Sequence, residues 1–229
     1  MHHLKATLAT FLLAGLAGAA GATTANGIGN GGFETPPNGD AGYFAAYWQA
    51  APTGNPALLS NEAHTGAHSA LLTVPNGFGA STLFQDTAWL GAAGQLTSAN
   101  VGDTPVLSFW AKGDVSTTGN ILFAVRYLGA GGILADSGNQ FFQGAINASG
   151  WTQINFQAAA IPAGATSIFL EMNTAVGPLL DGRPNAVYID DIQFTLTTAA
   201  VPEPGSYALL LAGLVAISAV GAIARRRRA

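Results

Sequence analysis

The 229-residue chain has no cysteine, few charges and hardly a basic residue outside its two ends. Without cysteine there are no disulfide staples, thiolate metal sites or cysteine nucleophiles. In an oxidising compartment the fold must rest on an apolar core and on any metal it binds. Charged residues make up 9% of the chain. Between Asn26 and Ala200 the bases are Lys112, Arg126 and Arg183, against eleven acids: Glu34, Asp40, Glu62, Asp86, Asp103, Asp114, Asp136, Glu171, Asp181, Asp190 and Asp191. That span carries a charge of −8, which the whole-chain value of −4 hides because most basic residues sit near the termini. So acidic a body excludes nucleic acid as a partner, since that binding relies on Lys and Arg neutralising phosphates.

Catalytic signatures are equally scarce. No Gly-x-Ser-x-Gly elbow occurs. Gly27-Ile28-Gly29-Asn30-Gly31-Gly32 has the glycine spacing of a dinucleotide loop, but no strand precedes it and Thr35-Pro36-Pro37 stands where a helix should begin. Residues 23–30 therefore read as a flexible leader. His64 and His68 are four apart in a turn entering a strand, with only Glu62 nearby, a poor set for zinc. Long amphipathic helices are also missing between Asn26 and Ala200. The period there is two, in segments such as Ala70–Val74, Val106–Ala111, Ile121–Tyr127, Thr152–Phe156 and Ser167–Met172, each bounded by Gly, Pro, Asn or Asp. Roughly eight to ten such strands joined by glycine-rich turns predict an all-β fold, an antiparallel β-sandwich of jelly-roll type over residues 31–198.

The two ends have a different character. Pro202-Glu203-Pro204 precedes an uncharged stretch from Tyr207 to Ala224, followed by Arg225-Arg226-Arg227-Arg228 and Ala229. As a helix those eighteen residues would reach roughly 27 Å, the thickness of a bilayer core. The arginines would hold the end in the cytoplasm, leaving everything before Val201 outside. Residues 199–206 read as an extended linker, 207–224 as a transmembrane helix and 225–229 as its cytoplasmic cluster. At the other end, Lys5, the apolar run from Leu8 to about Ala20 and the small residues Ala20-Gly21-Ala22 predict a signal peptide over 1–22, removed by signal peptidase. The segment Val201–Arg228 resembles the PEP-CTERM sorting signal of Gram-negative bacteria, with Val201, Pro202, Glu203, Pro204 and Arg225 to Arg228 as its motif residues. The resemblance implies an exosortase partner that removes the helix, and a surface or extracellular-matrix location reached by way of the inner membrane.

Within the body, Asn30-Gly31-Gly32-Phe33-Glu34 followed by Trp48, then His64-Thr65-Gly66-Ala67-His68-Ser69-Ala70-Leu71, and finally Val187-Tyr188-Ile189-Asp190-Asp191-Ile192-Gln193-Phe194 occur in an order similar to that of family 4/9-type carbohydrate-binding modules and galactose-binding-like domains. The resemblance implies a non-enzymatic module for extracellular polysaccharide. It also implies a structural calcium ion held by Glu34 and by Asp190 or Asp191, with backbone oxygens near Gly66 and His68. Calcium takes six to eight hard oxygen ligands, which suits carboxylates from distant strands. Flat rings suited to a sugar face are Trp89, in a turn after Asp86-Thr87, with Tyr43, Tyr47 and Tyr127. Trp48, Trp110 and Trp151, in or beside strands, read as core. A purely structural or adhesive surface protein without a small-ligand site, and a hydrolase whose paired carboxylates the sequence does not display, fit the same residues.

Overall fold

The computed structural model describes residues 23–198, apart from 38, 40, 41 and 53. The expected signal peptide, transmembrane segment, arginine cluster and sorting motif lie outside the described residues. Among the described residues no helix is long and apolar enough to cross a membrane. The strands are β1 (Thr23–Asn26), β2 (Tyr43–Ala45), β3 (Trp48–Ala50), β4 (Asn55–Pro56), β5 (Leu58–Ser60), β6 (Ser69–Val74) and β7 (Gly79–Asp86). They continue with β8 (Val106–Asp114), β9 (Gly119–Gly129), β10 (Gly132–Asp136), β11 (Gln140–Phe141), β12 (Thr152–Gln157), β13 (Ser167–Val176) and β14 (Asn185–Thr198).

Two sheets result. The first runs β12-β8-β14-β6-β5, with β1 also on β14; the second runs β10-β9-β13-β7-β3-β2, with β11 on β9 and β4 on β7. Among the described strands all pairings are antiparallel except β4 with β7. From β6 to β9 each strand lies in the sheet opposite its predecessor, and β12, β13 and β14 alternate likewise. The chain thus crosses the sandwich repeatedly, as the jelly-roll expectation requires. Alternation in β13 shows why. Leu170, Met172, Thr174 and Val176 are buried, while Phe169, Glu171, Asn173 and Ala175 are half-exposed on the other face. Leu72, Leu107, Phe109, Ile189 and Phe194 from the first sheet meet Leu83, Ile121, Phe123, Val125, Ile168, Leu170 and Met172 from the second. Phe109 makes edge contacts with Phe123 at 5.6 Å and Phe142 at 5.2 Å.

Residues 23–30 are not a flexible leader. β1 pairs with the end of β14 from Thr23↔Thr198 to Asn26↔Thr195, and Asn26 Oδ1 accepts the N–H groups of Ile28 and Phe194. Ile28 and Phe33 are buried, and Phe33 packs on Trp48 at 5.2 Å. The Trp48 indole N–H is shared between the carbonyls of Gly29 and Asn30, and the buried Gln85 amide both donates to and accepts from the Gly29 backbone. The glycine run serves close approach. A Cβ on Gly31 would stand 1.9 Å from the Ile192 carbonyl oxygen, and the Ile192 N–H donates to Gly31 at 3.0 Å.

At the opposite end of β14, buried Asn185 accepts from the Ser116 N–H and donates to Thr174 Oγ1 and the carbonyls of Asn120 and Ala175, joining the sheets. Beside it Asp181 accepts the N–H groups of Thr117 and Arg183 and the Ser116 hydroxyl, which hold its carboxyl well below the usual range. Such a depressed carboxylate stabilises the fold above its unfolded pKa of about 4 and loses that contribution as pH falls toward the folded value.

Two outcomes follow for thermal and acid unfolding. Gly31→Ala is expected to destabilise by about 1–3 kcal/mol, the range for forcing an extra carbon into a packed site, and an unchanged melting temperature would contradict this close approach. Asp181→Asn should reduce stability at neutral pH and flatten its decline below about pH 4, read from denaturant titrations across pH.

Candidate functional site

Side chains on the outer face of the second sheet form an aromatic strip. Residues directly opposite one another share a face, so Glu171↔Phe84 and Gln49↔Phe84 put these three side chains on one face. Phe169, two residues before Glu171, joins them and lies opposite Arg126 of β9. Phe84 and Phe169 stack at 5.5 Å with 28° between planes. Trp89 follows β7 in a short 3₁₀ segment, Thr87–Gly94, whose cap is the Asp86 carboxylate accepting the Ala88 N–H. This turn sets the indole at 6.0 Å from Phe84 and 5.6 Å from Tyr43 of β2, edge-on to the latter. At the other end the Arg126 guanidinium sits 5.7 Å from the Phe169 ring centroid. It donates to Glu171 at 2.7 Å and Asp136 at 2.9 Å.

The strip therefore runs Tyr43, Trp89, Phe84, Phe169 and ends on an arginine clamped between two carboxylates. Tyr43, Phe84, Trp89 and Phe169 are all half-exposed. Sugars present apolar ring faces beside hydroxyls, and rings flanked by Arg126, Glu171, Gln49 and Asn173 answer both. The two carboxylates here share one cation. Both bind one guanidinium, and although burial pushes Asp136 upward, the Gly138 N–H and Arg126 bring it net below the usual carboxylate range. A hydrolase's general acid needs a raised pKa.

The expectations for Trp89 and Tyr43 converge in this strip; the other two tyrosines lie elsewhere. Tyr127 is 2% exposed, its hydroxyl donates to the Ala159 carbonyl at 2.7 Å, and burial pushes its phenol upward, so it belongs to the core and offers no ring to a ligand. Tyr47 is exposed in the β2–β3 turn with φ of 69°. Phe84, Phe169, Arg126 and Glu171 were not singled out from sequence. The signal was there in strand parity, since each alternates with buried neighbours.

A second aromatic group lies on the outer face of the first sheet. Trp48 is buried as expected, but Trp110 and Trp151 are half-exposed and not core. His64 stacks flat on Trp110 at 3.9 Å and 14°, with Trp151 edge-on at 5.7 Å and Tyr188 6.4 Å from Trp151. His64 is placed by the neighbouring acids. Asp191 Oδ2 contacts His64 Nδ1 at 2.7 Å and Asp191 Oδ1 accepts the Thr65 hydroxyl at 2.6 Å. Asp190, fully buried at the β14 bulge, accepts the N–H groups of His64, Thr65 and Asp191. Burial pushes its carboxyl up to about 6, against those N–H groups and with the Asp191 charge adding to the rise.

Glu34, Asp190 and Asp191 thus border one loop. The backbone facing Glu34 is donor rather than acceptor. Glu34 Oε1 accepts N–H groups from Ala67 and His68 at 2.8 Å, and these hold the Glu34 carboxyl below its ordinary value. Gly66, at φ 68°, approaches so closely that a Cβ would lie 2.3 Å from that oxygen. The atoms nearest a Cβ on Gly32 are Asp191 Oδ1 at 3.6 Å, Asp190 Oδ1 at 3.8 Å and Glu34 Cγ at 3.9 Å. Among the described residues no set of three His, Cys, Asp or Glu side chains converges as a ready metal cage, and His64 and His68 form no zinc pair. The hollow of about 300 Å³ between the β8–β9 turn and residues 143–146 has no aromatic ring in its lining.

Residues 200–228 match the model of the PEP-CTERM protein-sorting motif. The chain therefore carries the sorting motif expected from its sequence. A comparison with curated proteins finds no match. Among solved structures the chain is similar to the enzymatically active domain of bacteriophage CBA120 tailspike protein 4, with 18% identity and a TM-score of 0.53. That match covers 75% of this chain and 21% of the tailspike chain, so this chain spans about a fifth of its length. It is also similar to TmCBM61 in complex with beta-1,4-galactotriose, at 16% identity over 74% of this chain and 97% of that one, TM-score 0.45. The CBM22-1 xylan-binding domain of Paenibacillus barcinonensis Xyn10C gives 16% identity, 80% and 98% coverage and a TM-score of 0.42. At 18% identity the likeness to the tailspike domain is one of fold.

Proposed function

We propose that this is an exported, exosortase-sorted surface protein whose body binds extracellular polysaccharide through the outer face of its second sheet. The observation that carries the binding claim is the strip itself: four half-exposed rings in successive contact, ending on the Arg126 clamp. Rings left half-exposed on a sheet face cost solvation that a ligand's apolar faces would relieve. The sorting motif supports the location, with the signal peptide and spanning helix as the means of export and anchoring. No reaction is assigned to the body, because both carboxylates in the strip are bound to one guanidinium.

Calcium is part of the proposal as a structural ion. Asp190 Oδ1 and Asp191 Oδ1 would hold it in the space before Gly32, and Glu34 would join them by turning its Oε2 inward, since its Oε1 is taken by the loop. The donor set is hard and anionic, and a buried carboxylate facing only neutral N–H groups and another acid gains from a cation. The ion would supply cross-linking between the first and last segments and no chemistry.

Residues 23–199 form a compact unit suited to both tests. On a polysaccharide array, Trp89→Ala and Phe169→Ala should each weaken retention about tenfold, the equivalent of one ring contact, while Trp110→Ala leaves it unchanged. Failure of the unaltered body to retain any polysaccharide removes the binding claim. Millimolar calcium should raise the melting temperature, chelator should reverse this, and Asp191→Asn should abolish the shift; a calcium-insensitive transition removes the ion.

A further inference from the structure

We propose that β12 is a self-association edge, on which a second copy of this chain adds its own β12 antiparallel across a two-fold axis at Asn155. The inference is independent of the polysaccharide reading. It begins with how the sheet edges end. β5 and β1 are short, three and four residues, and Glu62 stands two residues beyond β5. β2 and β10 both carry irregular register, and β10 ends on Asp136. Shortness, bulges and charge are the devices that blunt an exposed edge. β12 has none of them. Its six residues pair with β8 in unbroken register from Thr152↔Ala111 to Gln157↔Val106. Nor does any charged residue occur between Asp136 and Glu171.

The hydrogen-bond parity fixes which groups face outward. The Ala158 N–H donates to the Pro105 carbonyl at 2.8 Å, one step beyond the Gln157↔Val106 pair. In an antiparallel ladder bonded pairs alternate, so Phe156, Ile154 and Thr152 bond to β8. Gln153, Asn155 and Gln157 turn their N–H and C=O groups away from the sheet. All three are exposed. With the axis at Asn155, that residue faces its own copy and Gln153 faces Gln157 of the second copy. Each pair exchanges two main-chain bonds. Amide side chains both donate and accept, so a row of Gln and Asn complements itself across a two-fold. Gln157 Nε2 already donates to the Pro105 carbonyl at 3.0 Å, which leaves its oxygen for the facing amide. Ile154 and Phe156, only partly buried against the core, would be covered by their counterparts.

Self-complementarity selects the occupant, since the exposed row Gln153, Asn155 and Gln157 meets its own copy across the axis, and charge selects the edge. Two copies of a body carrying −8 repel through most of their surfaces, and the uncharged stretch around β12 is where approach costs least.

The chain has no cysteine, so Asn155→Cys in the full chain gives a single thiol on the proposed axis. Bonded antiparallel pairs have Cα atoms about 5.5 Å apart, within disulfide range. Under mild oxidation at micromolar concentration, Asn155→Cys should form a covalent dimer at least tenfold faster than Leu180→Cys, which is 77% exposed and distant in sequence from β12. Without oxidant, Asn155→Lys should weaken the dimer at least tenfold in sedimentation equilibrium by facing two like charges. Equal crosslinking at both positions, a wild-type chain monomeric at every concentration, or an Asn155→Lys dimer as tight as wild type overturns the proposal. A chain that stays monomeric yet captures an extended foreign peptide on β12 counts equally against a second copy as occupant.

Discussion

The buried carboxylate of Asp190 is the joint that the first sheet's outer face depends on. It sits where the register of β14 slips between Asp190 and Gln193, and it accepts N–H groups from a loop some 126 residues earlier. Glu34 grips the same loop at Ala67 and His68, and the Ile192 N–H closes on Gly31. Three segments remote in sequence are thereby fixed to one irregularity in one strand. The consequence reaches the surface, because the loop so held lays His64 flat on Trp110. A charge in that position is costly, since only neutral N–H groups and a second acid surround it. Either proton or cation relieves the cost, and both give the joint a chemistry that hydrophobic packing would lack.

The second sheet solves its problem differently. No buried ion anchors the strip; it is placed by strands whose inner faces are packed into the core, and its single cation is neutralised at the surface by Glu171 and Asp136. Sites carried on rigid strands hold their geometry better than sites carried on loops. Trp89 is the exception, and its turn is capped by Asp86 and broken at Gly91, where φ is 64°. The ring that reaches farthest in sequence from the sheet's strands is thus also secured by hydrogen bonding.

The period-two pattern made the long strands and the sandwich legible, because alternation reports burial directly. Parity was the part left unread. Trp110 lies between Phe109 and Ala111, and the strand motif alone gave no reason to send the indole outward and its neighbours inward. Tyr127 shares its parity with Phe123 and Val125 and is buried with them. The segment 23–30 looked unstructured since Ile28 stands between glycines rather than among alternating polar side chains. Its order comes from the groups that bind its backbone, Asn26, Gln85 and Trp48, and backbone hydrogen bonds leave no trace in hydropathy. Trp89 and Tyr43 were legible as misfits, large rings in turns with no evident core to fill. Their meeting depends on the β2–β3 and β7 pairings, which no local pattern encodes.

Geometry links the strip to the β12 edge. A two-fold relating antiparallel neighbours in one sheet runs perpendicular to that sheet, so both copies turn the same faces to the same side. The first sheets would become continuous, and the two second sheets behind them would present their aromatic strips in a common direction. Two weak sites facing one way engage a single long polymer as an intramolecular second step, which raises avidity without new contacts. Strips on opposite sides of a dimer would instead bridge separate chains. The edge thus bears on what the proposed strip could accomplish: rings that would hold a sugar weakly in one copy would grip a polysaccharide when paired.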